Sequence, residues 1–260
     1  MTTAVGHHPG VTSGLMCCGV RIDPLSLPDA VARLRSLALD DEGHAVHLCN
    51  AYILSLASRD DRYADALNRA DLNLPDGMPL VWLAQRAGLM TADDDRPRGT
   101  DVFTTTIDSG RQYGLRHYLY GGSPGVVDAL AARLRAESPG VNIVGMESPP
   151  FRPLTKDEEA VLVNRLRAAR PDIVWVGIGT PKQDHFVDAF CRRLPATFVA
   201  VGAAFDFVAG AKREAPEWMK AHGLEWAYRL GSEPRRLWKR YLVGNARFVA
   251  GVARTGFTVA

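Results

Sequence analysis

The 260-residue chain holds only four cysteines, Cys17, Cys18, Cys49 and Cys191, and no Cys-x-x-Cys pair. Adjacent Cys17 and Cys18 do not make a natural staple, so the four read as reduced thiols of a cytoplasmic protein. Zinc-ligand spacing is also missing: His44 and His47 form a His-x-x-His, but no further ligands complete a site. No run approaches the roughly 18 to 20 apolar residues of a membrane-spanning helix, so any membrane contact must be peripheral. The segment Met1 to Leu15 lacks the basic start and apolar core of a signal peptide and reads as a disordered tail. The net charge is only +2, which leaves little room for a nucleic-acid binder. No Gly-x-Gly-x-x-Gly follows a predicted strand with an acidic residue about 20 positions on, which argues against a dinucleotide-dependent oxidoreductase. Internal repeats and low-complexity tracts are missing too.

What is present is an alternation of strand-like and helix-like segments. Ala45 to Cys49 reads as a short strand, Ala51 to Ala70 as a helix, and His117 to Tyr120 as a strand ending at Gly121-Gly122. Ser123 followed by Pro124 starts a helix. Val141 to Val144 reads as a strand, and Thr155 with Glu158 forms a capping box. Asp172 to Val176 and Thr197 to Val201 are continuous apolar runs, as in strands buried on both faces. This order predicts an α/β fold with a doubly wound, mostly parallel, Rossmann-like sheet. Ligands of such sheets bind at the carboxyl ends of the strands.

Composition changes near Lys212. From there to the end, ten basic residues face four acidic ones, while the rest of the chain is net acidic. Trp218, Trp226, Tyr228, Trp238, Tyr241 and Phe248 are interleaved with these charges. The chain therefore divides into a tail (1–15), an α/β core (16–211) and a basic, aromatic-rich, helical C-terminal appendage (212–260).

Five polar loops follow predicted strands, and each has two readings. Asn50 either caps the next helix or touches a ligand. Pro75-Asp76-Gly77 is either a plain turn, with Gly77 at positive φ, or a placed carboxylate. Gly121-Gly122-Ser123 is a tight turn or, through its free N–H groups, a diphosphate cradle. Gly177 to Gln183 lets backbone approach a ligand beside Lys182 and Gln183. Asp206 either accepts from sugar hydroxyls or caps a helix.

As a set, these residues resemble the WecG/TagA/CpsF glycosyltransferases, glycosyltransferase family 26. The resemblance rests on Asn50 with its following helix, Ala70 to Gly77, Arg96 to Asp101, Tyr120-Gly121-Gly122, Gly179 to Gln183, Gly202 to Gly210, and Gly223 to Leu230 with Glu233 to Arg236. It spans roughly Gly19 to Phe248. It implies an inverting transferase that moves a hexose derivative from a UDP donor to a polyprenyl-diphosphate-linked sugar. N-acetylmannosamine, its uronate and glucose are the donor sugars it allows. It further implies that Asp76 is the general base, and that Asn50, Arg96, Gly121, Gly122, Thr180, Lys182, Gln183, Asp206, Arg229 and Arg235 contact substrate. The chain departs from the family at Leu48, where a threonine is common.

Such a transfer needs a carboxylate to deprotonate the attacking hydroxyl and cations or N–H donors for the leaving diphosphate. The only dense acidic run, Asp93-Asp94-Asp95, reads as solvated charge, so the expectation is a reaction with no metal and no cofactor. The basic appendage is expected to dock the enzyme on the inner face of the cell membrane. Homo-oligomerisation stays open. The competing classes are a nucleotide-binding oxidoreductase and a non-catalytic nucleotide-binding protein.

Overall fold

The computed structural model describes residues 13–260. Two short strands come first, β1 (Leu15–Cys17) and β2 (Val20–Ile22), joined by a turn in which Cys18 and Gly19 both take positive φ. Helix α1 (Leu27–Ala38) starts at Ser26, whose hydroxyl accepts from the Asp29 N–H, and buries Ala30, Val31, Leu34 and Leu37 on one stripe. There follow β3 (His44–Cys49), α2 (Ala51–Ala57), α3 (Asp61–Asn68), β4 (Leu72–Pro75), α4 (Met78–Arg86) and α5 (Gly99–Gly110). The second half of the core runs β5 (Arg116–Gly121), α6 (Pro124–Glu137), β6 (Asn142–Glu147), α7 (Lys156–Ala169), β7 (Ile173–Gly177), α8 (Lys182–Cys191), β8 (Thr197–Ala200) and α9 (Ala204–Val208). The C-terminal segment holds α10 (Glu217–Ala221), α11 (Glu225–Ser232), α12 (Pro234–Trp238), a π-helical turn (Lys239–Val243), α13 (Gly244–Thr255) and β9 (Phe257–Val259).

Six strands form one all-parallel sheet in the order β4-β3-β8-β7-β5-β6. Strand β7 shows why its sequence is apolar throughout. Ile173 and Trp175 face one side, against Leu34 of α1 and Phe103 of α5. Val174 and Val176 face the other, against Leu162 of α7 and Phe190 of α8. With helices on both faces, every strand position is core. The order reverses between β3 and β8: β3 leads outward to β4, while β8 arrives from the β7 side. That is the switch point where α/β sheets open a crevice at their carboxyl edge.

Three sequence expectations change. Leu15, placed in the disordered tail, begins β1; residues 1–12 of that tail lie outside the described residues. The helix expected over Ala51 to Ala70 is two helices, because the Asp60 carboxylate caps a fresh start by accepting from the Tyr63 N–H. The C-terminal segment is not wholly helical. Strand β9 returns to pair antiparallel with β1, completing a small sheet in the order β2-β1-β9. Phe248 of α13 joins the core between this sheet and α2 to α4. Removing everything after Gly231 would therefore strip a strand and open a core.

His44 and His47 do not form a metal pair. Three residues apart on a strand, they face opposite sides. His44 pairs with Asp71, and His47 with the fully buried Asp184.

Candidate active site

The polar loops converge on the carboxyl edge of the sheet. Asn50 follows β3, and its side-chain oxygen accepts from the Tyr52 and Ile53 amides (3.1 and 3.2 Å). The cap reading is therefore correct as structure, and the same residue also lines the crevice. Asp76 follows β4. Its N–H donates to the Cys49 carbonyl at 2.8 Å, and one carboxylate oxygen accepts from the Gly99 N–H at 2.7 Å. The carboxylate is thus held from behind by the first amide of α5. Gly77 does not take the positive φ of a turn glycine; its φ is −102° and it is the N-cap residue just before α4. A Cβ there would lie 3.2 Å from the Asn50 side chain, so the glycine lets the β3 and β4 ends approach each other.

Two crevices meet at this point. The larger, of about 790 Å³, runs along the ends of β5, β7 and β8, a size suited to a small-molecule ligand. The smaller, of about 150 Å³, lies under α11, the π-helical turn and the start of α13. Asn50, Asp76, Arg229 and Arg240 line both.

Gly122, Thr180, Lys182, Gln183 and Asp206 line the larger crevice. Gly122 has φ +68° and spends its amide on the Gly177 carbonyl. The diphosphate cradle expected there has only the next amides, of Ser123 and Gly125, without a protein acceptor. Gly121 does not line the crevice. A Cβ there would come within 2.5 Å of the Gly177 carbonyl oxygen, so its role is the close approach of β5 to β7. Gln183 is buried and accepts from the Gly179 N–H, which ties the loop to α8. Asp206 does not cap a helix; it lies within α9 and pairs with Lys212 at 2.7 Å.

Arg96 faces the smaller crevice, already paired with Glu225 of α11. Arg98, beside it, binds the same Glu225 at 2.8 Å and also Asp101 and Glu214. Burial works against the Arg98 charge, but these carboxylates outweigh it and hold its pKa above the ordinary value. Arg229 lies over the Phe207 ring at 5.3 Å. Arg235 is exposed and lines neither crevice, contrary to expectation. Its place is taken by residues that sequence reasoning assigned to a membrane face, Arg236 and Arg240. Arg240 lies over the Tyr52 ring at 4.8 Å with its Nε unpartnered. Burial pushes its pKa down, so an anion beside it would be strongly favoured. Nothing local in the sequence marks Arg240 apart from its basic neighbours.

The acidic run Asp93-Asp94-Asp95 is elsewhere. Asp94 caps its own loop by accepting from the Thr91 amide and hydroxyl. Among the described residues no group of three or more His, Cys, Asp or Glu side chains is placed to hold a metal ion.

A carboxylate at the meeting of two crevices, with arginines reaching both, defines a site suited to group transfer between two anionic substrates. The family model for glycosyl transferases of the WecG/TagA/CpsF family matches residues 15–259, and the chain belongs to that family. It is similar to an N-acetylglucosaminyldiphosphoundecaprenol N-acetyl-beta-D-mannosaminyltransferase of Bacillus spizizenii (strain ATCC 23059 / NRRL B-14472 / W23). The two are 31% identical over 218 residues, which cover 83% of this chain and 82% of the relative. A protein of the same description from Bacillus subtilis (strain 168) is 29% identical over 201 residues, 77% of this chain and 75% of the relative.

Proposed function

We propose that this glycosyltransferase moves a hexose derivative from a UDP-sugar to a polyprenyl-diphosphate-linked sugar, with inversion and without a divalent ion. The observation that carries it is the position of Asp76, fixed by the Gly99 amide where the two crevices join. In this reading the donor lies in the larger crevice and the acceptor sugar enters the smaller. The acceptor hydroxyl attacks the anomeric carbon from the side opposite the diphosphate, and the free oxygen of Asp76 takes its proton. Charge building on the leaving diphosphate meets Arg229, Arg240 and Lys182, with the Ser123 and Gly125 amides near it. The oxidoreductase and non-catalytic readings find no such use for a carboxylate between two pockets.

The relatives' descriptions favour N-acetylmannosamine as donor sugar and an N-acetylglucosaminyl-diphosphate lipid as acceptor. Leu48 supports a fit different in detail, since it presents an apolar wall to the larger crevice. Peripheral membrane attachment is part of the proposal. Among the described residues no helix is long and apolar enough to cross a membrane. Trp218, Trp226, Trp238 and Leu242 are exposed on the C-terminal segment, among Arg235, Arg236 and Lys239, a composition suited to an anionic interface. The test offers UDP-N-acetylmannosamine, its uronate and UDP-glucose with a short-chain polyprenyl-diphosphate N-acetylglucosamine, in buffer with EDTA. A product heavier by one hexose derivative is expected from one donor. No product from any donor, or product only after Mg²⁺ or Mn²⁺ is added, would overturn the reading or its metal independence respectively.

A further inference from the structure

Cys17 and Cys18 line neither crevice, yet the backbone brings their sulfurs together. In a regular strand, adjacent side chains point to opposite faces. Cys18 instead has φ +52°, a conformation that residues other than glycine rarely adopt. Its side chain therefore turns to the same side as that of Cys17. Both sulfurs lie in one apolar cluster, 4.0 Å apart, with the residues 1% and 3% exposed. The Cys17 thiol donates to the Cys18 sulfur. That contact, helped by the Arg254 charge, lowers the Cys18 pKa against the opposing effect of burial; it raises that of Cys17. Cys18 is the more readily ionised of the two and so the more reactive.

The pair touches the C-terminal segment from two directions. Cys17 lies opposite Phe257 in the β1–β9 ladder. The Cys18 sulfur sits against Gly251 of α13, where a Cβ would come within 2.9 Å of it. About two turns earlier on the same face of α13, Gly244 presses on Tyr52, and a Cβ there would lie 2.9 Å from the ring. Arg240, in the π-helical turn that leads into α13, lies over that same Tyr52 ring at 4.8 Å. Helix α13 thus rests on the thiol pair near one end and, at the other, on the ring that positions a crevice arginine.

We propose that Cys17 and Cys18 are an oxidation site whose closed form is a vicinal disulfide, and that closing it unseats α13 and draws Arg240 away from the crevices. Only its consequence for sugar transfer rests on the function proposed above. The oxidant is hydrogen peroxide. The Cys18 thiolate attacks one peroxide oxygen, the O–O bond breaks, and the sulfenic acid forms as water leaves. The Cys17 sulfur then attacks the Cys18 sulfur, and the hydroxyl departs with the thiol proton as a second water. Two thiols give up two electrons and two protons, and the peroxide becomes two waters. Sulfurs now 4.0 Å apart must close to about 2.05 Å. Cys17 is held in the ladder by strands on both sides, so Cys18, in the turn, leaves its place on Gly251. Adjacent Cα atoms are about 3.8 Å apart, below the usual disulfide range of about 4.4 to 6.8 Å. Such a bond is strained and easily reduced, which suits a reversible change and not a permanent staple. The small sheet is three strands of three residues each, an element whose local opening admits the oxidant.

Both cysteines lie in the one tryptic peptide that ends at Arg21, apart from Cys49 and Cys191. The full chain is treated with graded hydrogen peroxide, alkylated and digested. That peptide should lose two hydrogens and take no alkyl group at doses that leave Cys49 and Cys191 as thiols, and dithiothreitol should restore it. Hydrogen exchange over 239–255 should be faster in the oxidised parent chain than in the reduced one, and turnover several-fold lower, both reversed by dithiothreitol. Cys18→Ser, which keeps a side chain against Gly251, should show neither change with peroxide. The main comparison, oxidised against reduced parent, does not depend on how that variant folds. Free thiols at both positions at doses that oxidise Cys191 overturn the oxidation site. A disulfide that leaves exchange over 239–255 as in the reduced chain overturns the coupling to α13. A disulfide with faster exchange, in a chain that transfers no sugar even when reduced, supports the switch and counts against the proposed function instead.

Discussion

The two walls of the site are built on different principles. The glycine loops on the core side hang from strands whose side chains are almost wholly buried, so their geometry is set by close packing. The opposite wall, from α10 through the π-helical turn, buries a single apolar side chain, Leu237. It is held by charges and rings instead: Glu225 to Arg96 and Arg98, Lys220 to Glu214, Lys212 to Asp206 and Glu233, and Arg240 over Tyr52. Only beyond it do Phe248 and β9 anchor the chain again. A wall with few buried apolar contacts opens at lower free energy than a sheet core. The molecule therefore pairs a rigid half with a looser one; on the function proposed above, the first sets the attacking geometry and the second admits the acceptor.

The largest expected effect tests the rigid half. Asp76→Asn keeps an acceptor for the Gly99 N–H but cannot take a proton. Turnover should fall about 10² to 10⁴-fold, the usual range for a lost general base, with donor affinity and melting temperature near the parent values. Near-normal turnover would remove Asp76 from the role. The looser half should matter first for location. Arg235 and Lys239 are exposed and outside both crevices, and each basic residue near an anionic leaflet contributes about 1 kcal/mol. Reversing both to glutamate should cut sedimentation with phosphatidylglycerol vesicles by well over tenfold at low salt, while activity on a water-soluble acceptor persists. Equal sedimentation of variant and parent would place the membrane contact elsewhere.

Glu225→Gln sharpens the contrast between the walls. It weakens the link to both arginines, at side chains only 10% and 14% exposed. Hydrogen exchange should accelerate across 217–243 and not in the β7 and β8 amides, and the acceptor KM should rise several-fold. Uniform acceleration would show that the two walls open as one unit.

The smallest effect on activity concerns the core alone. His117 is buried and accepts from the Trp175 indole N–H at 3.2 Å, and burial lowers its pKa to about 4. A histidine whose folded pKa lies below its unfolded value of about 6.5 favours the fold while neutral. That stability is complete above pH 6.5 and is lost as pH falls towards 4. His44 has the opposite sign, because its hydrogen bond to Asp71 raises its pKa, so its contribution fades as pH rises. His117→Asn, which keeps an acceptor for Trp175, should flatten the fall in melting temperature between pH 6.5 and 4 without changing turnover at neutral pH. An unchanged slope would assign the acid sensitivity to other groups.

Much of this was already present in local sequence. Burial on two faces makes a strand apolar throughout, so β7 and β8 could be recognised alone. Helix starts are short-range chemistry, readable over four residues: the fixed φ of Pro124 opens α6, and the reciprocal hydrogen bonds of Thr155 and Glu158 open α7. Asn50 and Asp76 were legible because each directly follows a strand, and strands of such a sheet deliver their ends to one edge. What the chain does at long range was not legible. Arg235 and Arg240 are both arginines in one basic stretch, and only the packing of the π-helical turn against Tyr52 turns one into the crevice and leaves the other in solvent. The same holds for β9 on β1 and for Glu225 between two arginines. Each depends on residues far apart in sequence meeting at one point, which local periodicity and capping do not encode and the closed tertiary structure alone decides.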